Sequence, residues 1–166
     1  RNTRYHIRRA FREYELRGPV SYNVADSCAV ALDYFANLRE LHQAYWEHRG
    51  FPGAFATDSA NAFHERLIST RFDRGEIQIG RLEAGDTCFG YLYSFVFNGV
   101  VSNYQSGFVY EIDPKLKPGL VGHTLAVEYN LVQKFRVYDF LFGDQRFKRS
   151  LATNDERMIW LVLRKD

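Results

Sequence analysis

Apolar positions recur along this chain with two periods, and the switch between them divides it into segments. In residues 4–16, Ile7, Phe11 and Tyr14 share one helical face while Arg4, Arg8 and Arg12 lie elsewhere. Gly18-Pro19 stops that helix. Residues 20–24 alternate apolar and polar and read as a short strand. Asp26 or Ser27 then caps a long helix. Its core-facing stripe is Cys28, Ala31, Leu32, Phe35, Leu38, Leu41 and Tyr45, and Gly50 ends it. Beyond the loop Phe51-Pro52-Gly53-Ala54-Phe55, Thr57 or Asp58 caps another helix, with Phe63 and Leu67 pointing one way and Gly75 closing it.

The period then drops to two. Ile77 and Ile79 alternate with Glu76, Gln78 and Gly80, a strand that leads to the turn Ala84-Gly85-Asp86. Residues 87–97 are apolar on both faces and predict a central strand covered on both sides. Asn98-Gly99 is a hairpin turn, because both residues tolerate positive φ, and 100–109 is the return strand. Gly107 within it predicts a bulge or a close backbone approach. Pro118-Gly119 opens a helix to about Lys134, with Leu120, Thr124, Val127, Leu131 and Phe135 as its apolar stripe. Residues 137–142 form a strand reached by a crossover, hence parallel to a neighbour, and 158–163 form a last strand. The fold expected is α/β or α+β, a mixed, mostly antiparallel sheet flanked by helices.

Composition narrows this. At 166 residues and 46% hydrophobic, the chain is one domain or one lobe of a larger protein, and wholesale disorder is excluded. The net charge of +2 argues against a general nucleic-acid coat, but it is unevenly spread. The first 18 residues hold six Arg and two Glu; the rest holds 16 basic and 18 acidic side chains. Arg1 in place of a Met suggests a cut inside a longer chain. We therefore set 1–18 apart as a basic opening helix, either an arm or the inner helix of a two-lobed protein, with 19–166 as the body. Cys28 and Cys88 sit among apolar residues and read as buried free thiols. No apolar run reaches the roughly 20 residues of a membrane span, and a reducing, cytoplasmic compartment is the default.

Three places carry candidate chemistry. Gly119-Leu120-Val121-Gly122-His123 open a helix, where free N–H groups and the dipole attract anions. The glycines would admit a phosphate and Lys115 and Lys117 add charge, against the plainer reading of a glycine-rich helix start. At the end of the 137–142 strand, Asp144 is placed as a proton acceptor and Lys148 as an anion partner or base. Asp139, inside that strand, is a salt-bridge or catalytic carboxylate. His42 shares a helix face with Trp46 and could meet His64 in a cleft, but nothing has metal-ligand spacing.

Read together, Leu41-His42-Gln43-Ala44-Tyr45-Trp46, Gly50-Phe51-Pro52-Gly53-Ala54-Phe55, Phe63-His64, Tyr104–Phe108, Lys117-Pro118-Gly119 and Tyr138–Asp144 with Phe147-Lys148-Arg149 resemble a known family. It is the GNAT-superfamily acetyltransferase domain of cellulose and exopolysaccharide biosynthesis, akin to FemAB-type transferases. The resemblance spans essentially the whole chain and implies an acyl-CoA N-acyltransferase fold. It places acetyl-CoA or another acyl-CoA between two splayed parallel strands, near Phe108, Val109 and Tyr110. The pyrophosphate would rest on Lys117, Gly119, Leu120, Val121, Gly122 and His123. Gly119-x-x-Gly122 departs from the usual Q/R-x-x-G-x-G/A signature. The activity implied is acyl transfer to an amine or sugar. Backbone amides of the bulged strand would stabilise the oxyanion, Asp144 or His42 would accept the proton, and Lys148 would position an anionic group. The alternatives are a tRNA-dependent FemAB-like aminoacyltransferase, completed by a missing N-terminal half, and a non-catalytic GNAT-fold binding module.

Overall fold

Asn98 (φ 49°) and Gly99 (φ 77°) both take positive φ, the backbone of a tight hairpin turn, and around this turn the sheet is built. The structure is a computed structural model that describes residues 2–143, 145–157, 159 and 161–164. Its elements are α1 (Asn2–Glu15), β1 (Val20–Val24), α2 (Cys28–His48), α3 (Asp58–Arg71), β2 (Ile77–Ala84), β3 (Thr87–Phe97), β4 (Val100–Phe108), α4 (Pro118–Val132), β5 (Val137–Asp139) and α5 (Arg146–Leu151). The strands lie in sequence order, β1 to β4 antiparallel and β5 parallel to β4. This is the mixed, mostly antiparallel sheet flanked by helices that the pattern predicts.

Each face of the sheet carries its own core. On one face Ile77, Ile79, Tyr91 and Tyr93 pack against Ala31, Phe35 and Leu38 of α2 and Ile68 of α3. On the other, Leu82, Ala84, Phe89, Leu92 and Phe108 meet Ala10 and Tyr14 of α1 and Val121 and Ala126 of α4. Two register shifts decide which side chain goes where. Phe89 is extra between Cys88 and Gly90, which turns it to the α1 side, where its ring stacks on Tyr14 at 4.2 Å. Tyr104 is extra between Asn103 and Gln105 of β4. With Tyr14 fully buried, α1 is part of the second core, although Arg4, Arg8 and Arg12 stay exposed on its outer side. Full burial of one such side chain contributes about 1.5–3 kcal/mol.

The caps fall on Ser27 and Thr57, whose hydroxyls accept from Val30 and Ala60 N–H. Other expectations shift. In α3 the buried residues are His64 and Ile68, and Phe63 is exposed. In α4 the buried face is Val121, Gly122, His123, Ala126 and Asn130, whereas Val127 and Leu131 are exposed. Asn130 and Gln78 exchange two hydrogen bonds (2.9 and 3.1 Å) and so turn a polar residue of the helix inward. The strand from 137 stops at Asp139 rather than at 142. Among 158–163 the described residues belong to no strand and Ile159, Leu161, Val162 and Leu163 are exposed, because no described strand lies along the outer edge of β5. Cys28 and Cys88 are free thiols, half-buried rather than buried. Among the described residues no helix is long and apolar enough to cross a membrane.

Candidate active site

A parallel pair that separates leaves a groove between its strands. β4 and β5 pair only from Val100/Val137 to Ser102/Asp139, and β4 then runs on to Phe108 paired with β3 alone. The separation has a local cause. Asp139 Oδ1 accepts from Leu141 N–H at 2.7 Å, and Leu141 takes φ 56°, so the chain turns out of the sheet. Asp139, read from the sequence as a salt-bridge or catalytic carboxylate, is here the acceptor that holds this turn. Val109 N–H bonds Phe89 O, on the β3 side. By the alternation of the ladder, the N–H groups of Ser106 and Phe108 face the opened edge.

Beside this edge stands the start of α4. Lys117 is the N-cap residue, no side chain caps the helix, and Pro118 opens it. Of the predicted cradle, Lys117, Gly119 and Leu120 are at least partly accessible; Val121, Gly122 and His123 are buried. A Cβ on Gly119 would touch only the Phe108 ring, at 3.5 Å, whereas one on Gly122 would fall 2.5 Å from Leu82 Cδ1. Gly119 thus leaves space beside the free helix end, and Gly122 serves helix–sheet contact. Lys115 is tied to Glu13 at 3.6 Å. Phe108 is buried under this turn, and Tyr110 stacks on Tyr45 of α2 at 4.7 Å. Burial and the neighbouring Tyr45 push the Tyr110 phenol up to about 12, with Arg49 opposing.

Of the predicted catalytic residues, the described ones, His42 and Lys148, are each held by backbone groups in different parts of the fold. His42 is buried, its Nδ1 3.1 Å from Ser106 O, while its Nε2 accepts from Ala54 N–H at 3.2 Å. Both nitrogens are occupied, so His42 is a staple between β4 and the 51–55 loop rather than a base. Burial lowers its pKa, against the raising effect of the Ser106 bond. Gln43 completes the staple, donating to Pro52 O (2.6 Å) and accepting from Phe55 N–H (3.0 Å). His64 does not meet His42: the Phe55 ring packs against both, and His64 Nδ1 lies 3.3 Å from Tyr93 Oη. Lys148 donates to Phe142 O at 2.7 Å and to Leu141 O at 3.4 Å, so it holds the turn after β5. Burial lowers its pKa, with Asp139 opposing. Asp144 lies outside the described residues. Gly107 marks a close approach of β4 to α2, the bulge being at Tyr104 instead. Residues that pattern reading missed are Tyr138, Ser94 and Asn103, polar groups inside apolar strands and signalled only by that placement.

A curled mixed sheet with a parted parallel pair and a helix start at the gap defines an acyltransferase-type fold. The family model described as acetyltransferase (GNAT) domain matches residues 1–149, and the chain belongs to that family. A solved structure of aminoglycoside N-acetyltransferase AAC(6′)-Iy in complex with CoA is similar over 88% of this chain and 95% of that one. The TM-score is 0.56 and the identity 13%, which bears on the fold alone. A search among curated proteins finds no match.

Proposed function

We propose that this acetyltransferase domain moves an acetyl group from acetyl-CoA to an amine, with the CoA arm in the gap between β4 and the turn after β5. The observation that carries this is the parting of the strands after Ser102 and Asp139 directly beside the uncapped start of α4. Acetyl-CoA supplies the activated thioester. The chain supplies a place for the pyrophosphate at Gly119 N–H, with Lys117 adding positive charge. The N–H groups of Ser106 and Phe108 offer donors to an acyl oxygen. Asp144 is kept as the proton acceptor, since His42 and Lys148 are committed to backbone partners.

Calorimetry and thermal shift with acetyl-CoA and CoA test the reading. Saturable binding, weakened by Lys117→Glu, supports it; no heat and no thermal shift at millimolar ligand refute it. A panel of primary amines, amino sugars and plain sugars then reads the acceptor, and acetylation of hydroxyls alone would move the reading to polysaccharide O-acylation. One observation favours tRNA as a second donor: Arg4, Arg8 and Arg12 lie exposed in one row on α1. Salt-sensitive tRNA retention lost on Arg8→Glu/Arg12→Glu would support it, and no retention at low salt would dispose of it.

A further inference from the structure

The gap between β4 and the turn after β5 has a buried floor, and one polar atom in it has no partner. His123 of α4 is fully buried. Its ring lies flat on Phe147 of α5 (4.7 Å, 2°) and edge-on to Phe140 (5.4 Å). It stands 6.1 Å from the rings of both Phe108 and Tyr138. These neighbours come from both banks of the gap. Nδ1 lies 3.2 Å from Tyr138 Oη, and Nε2 has no partner among the described residues. A buried ring nitrogen left alone is costly, and such an atom points to a missing ligand or water.

Which nitrogen carries the proton follows from the groups behind it. Asn103 Nδ2 donates to Tyr93 O and to Ser94 Oγ, each at 3.4 Å. The carbonyl fixes that amide atom as nitrogen, so Ser94 Oγ accepts there. Its hydrogen is then free for the Tyr138 oxygen, where Ser94 opposes the rise that burial gives the phenol's pKa. The Tyr138 O–H is left to donate to His123 Nδ1, and an accepting Nδ1 puts the ring hydrogen on Nε2. Burial, and after it the Lys148 ammonium, push the imidazole down to about 3, so the ring is neutral and Nε2–H donates without releasing its proton.

We infer that His123 Nε2–H is a hydrogen-bond donor to bound acyl-CoA, its acceptor a carbonyl oxygen of the pantetheine–thioester arm, and that Tyr138, Ser94 and Asn103 are positioning residues that set its tautomer. The inference rests on the acyl-CoA reading of the gap. It assigns His123 to the arm of that ligand rather than to the pyrophosphate.

The test uses the intact chain with 15N-labelled histidine. Ring 15N shifts should report His123 as the neutral Nε2–H form, and acetyl-CoA should move the Nε2 and Hε2 signals. Tyr138→Phe should mix the two tautomers, a change that a purely structural tyrosine would not cause. His123→Gln, which places an amide N–H near Nε2, should bind acetyl-CoA within about threefold of the parent; His123→Asn, which reaches only the Nδ1 position, should bind about tenfold more weakly. If the asparagine variant fails to fold, the spectrum of the parent protein decides. An Nδ1–H tautomer overturns the inference outright. Binding of acetyl-CoA that leaves the His123 signals unmoved, as for a nitrogen held by water alone, also overturns it while the acyl-CoA reading stands. Absence of acetyl-CoA binding to the parent refutes that reading and the inference with it.

Discussion

At Gly107, β4 passes so close under α2 that a methyl group would lie 2.5 Å from Leu38 O and 3.0 Å from Leu41 Cβ. A backbone oxygen cannot swing aside as a side-chain end can. Since a carbon–oxygen contact settles near ~3.3–3.6 Å, Gly107→Ala must lift α2 by about 1 Å. The helix carries Ala31, Phe35, Leu38 and His42 into the core, so the lift loosens all four together. Overpacking of this kind costs about 1–3 kcal/mol, and the smaller freedom of unfolded alanine returns about 0.4–1. The net expectation is a loss of about 1–2 kcal/mol, or a melting midpoint lower by about 2–8 °C for a chain of this size. Urea unfolding should show a lower midpoint with an unchanged slope. Gly119→Ala is the control, because its methyl meets only the Phe108 ring at 3.5 Å and its midpoint should rise by about 1–4 °C. An alanine at 107 that melts at or above the parent temperature would refute the close-approach argument.

Other outcomes follow from the same geometry. His42, His64 and His123 all have pKa values lowered by burial, so below about pH 6.5 the unfolded chain takes up the protons that the folded one refuses. Stability is therefore complete above that pH and falls below it, His123 alone contributing up to about 1.4 kcal/mol per unit as pH drops toward its folded value of about 3. A urea midpoint that stays flat between pH 7.5 and 5.5 would contradict this. His42→Phe leaves Ser106 O and Ala54 N–H without their partner and should cost about 2–4 kcal/mol, with protease cleavage appearing in the 51–55 loop. Asp139→Ala removes the acceptor that holds Leu141 at φ 56° and should weaken acetyl-CoA binding, whereas Asp139→Asn keeps an acceptor and Leu141→Gly added to the alanine variant should restore binding. Equal binding by the alanine and asparagine variants would remove Asp139 from the account of the gap.

Turns, caps and the sheet order were legible because they depend on local chemistry. Asn98-Gly99, Ser27, Thr57 and the Pro118 helix start act through their own backbones or near neighbours. Face assignment was harder where a polar residue points inward for a partner far along the chain. Asn130 is buried only because Gln78 waits for it across the sheet, which rotates the stripe of α4 away from Leu131. The bulge at Phe89 similarly breaks a period of two that composition alone cannot reveal. The site was legible as a helix start beside a strand, but the role of each side chain was not. His42 and Lys148 carry chemistry-capable groups whose partners are backbone carbonyls and an amide, and no residue pattern marks a carbonyl as taken.

The Tyr14–Phe89 stack has a consequence for synthesis on the ribosome. Tyr14 and Ala10 are made before the surface that buries them, which includes Leu82, Phe89, Leu92 and Val121. At about 5–20 residues per second, α1 waits on the order of 5–20 s for the last of these to be made. During that interval its apolar side lacks these partners, while Arg4, Arg8 and Arg12 along its other side are charged groups that favour water.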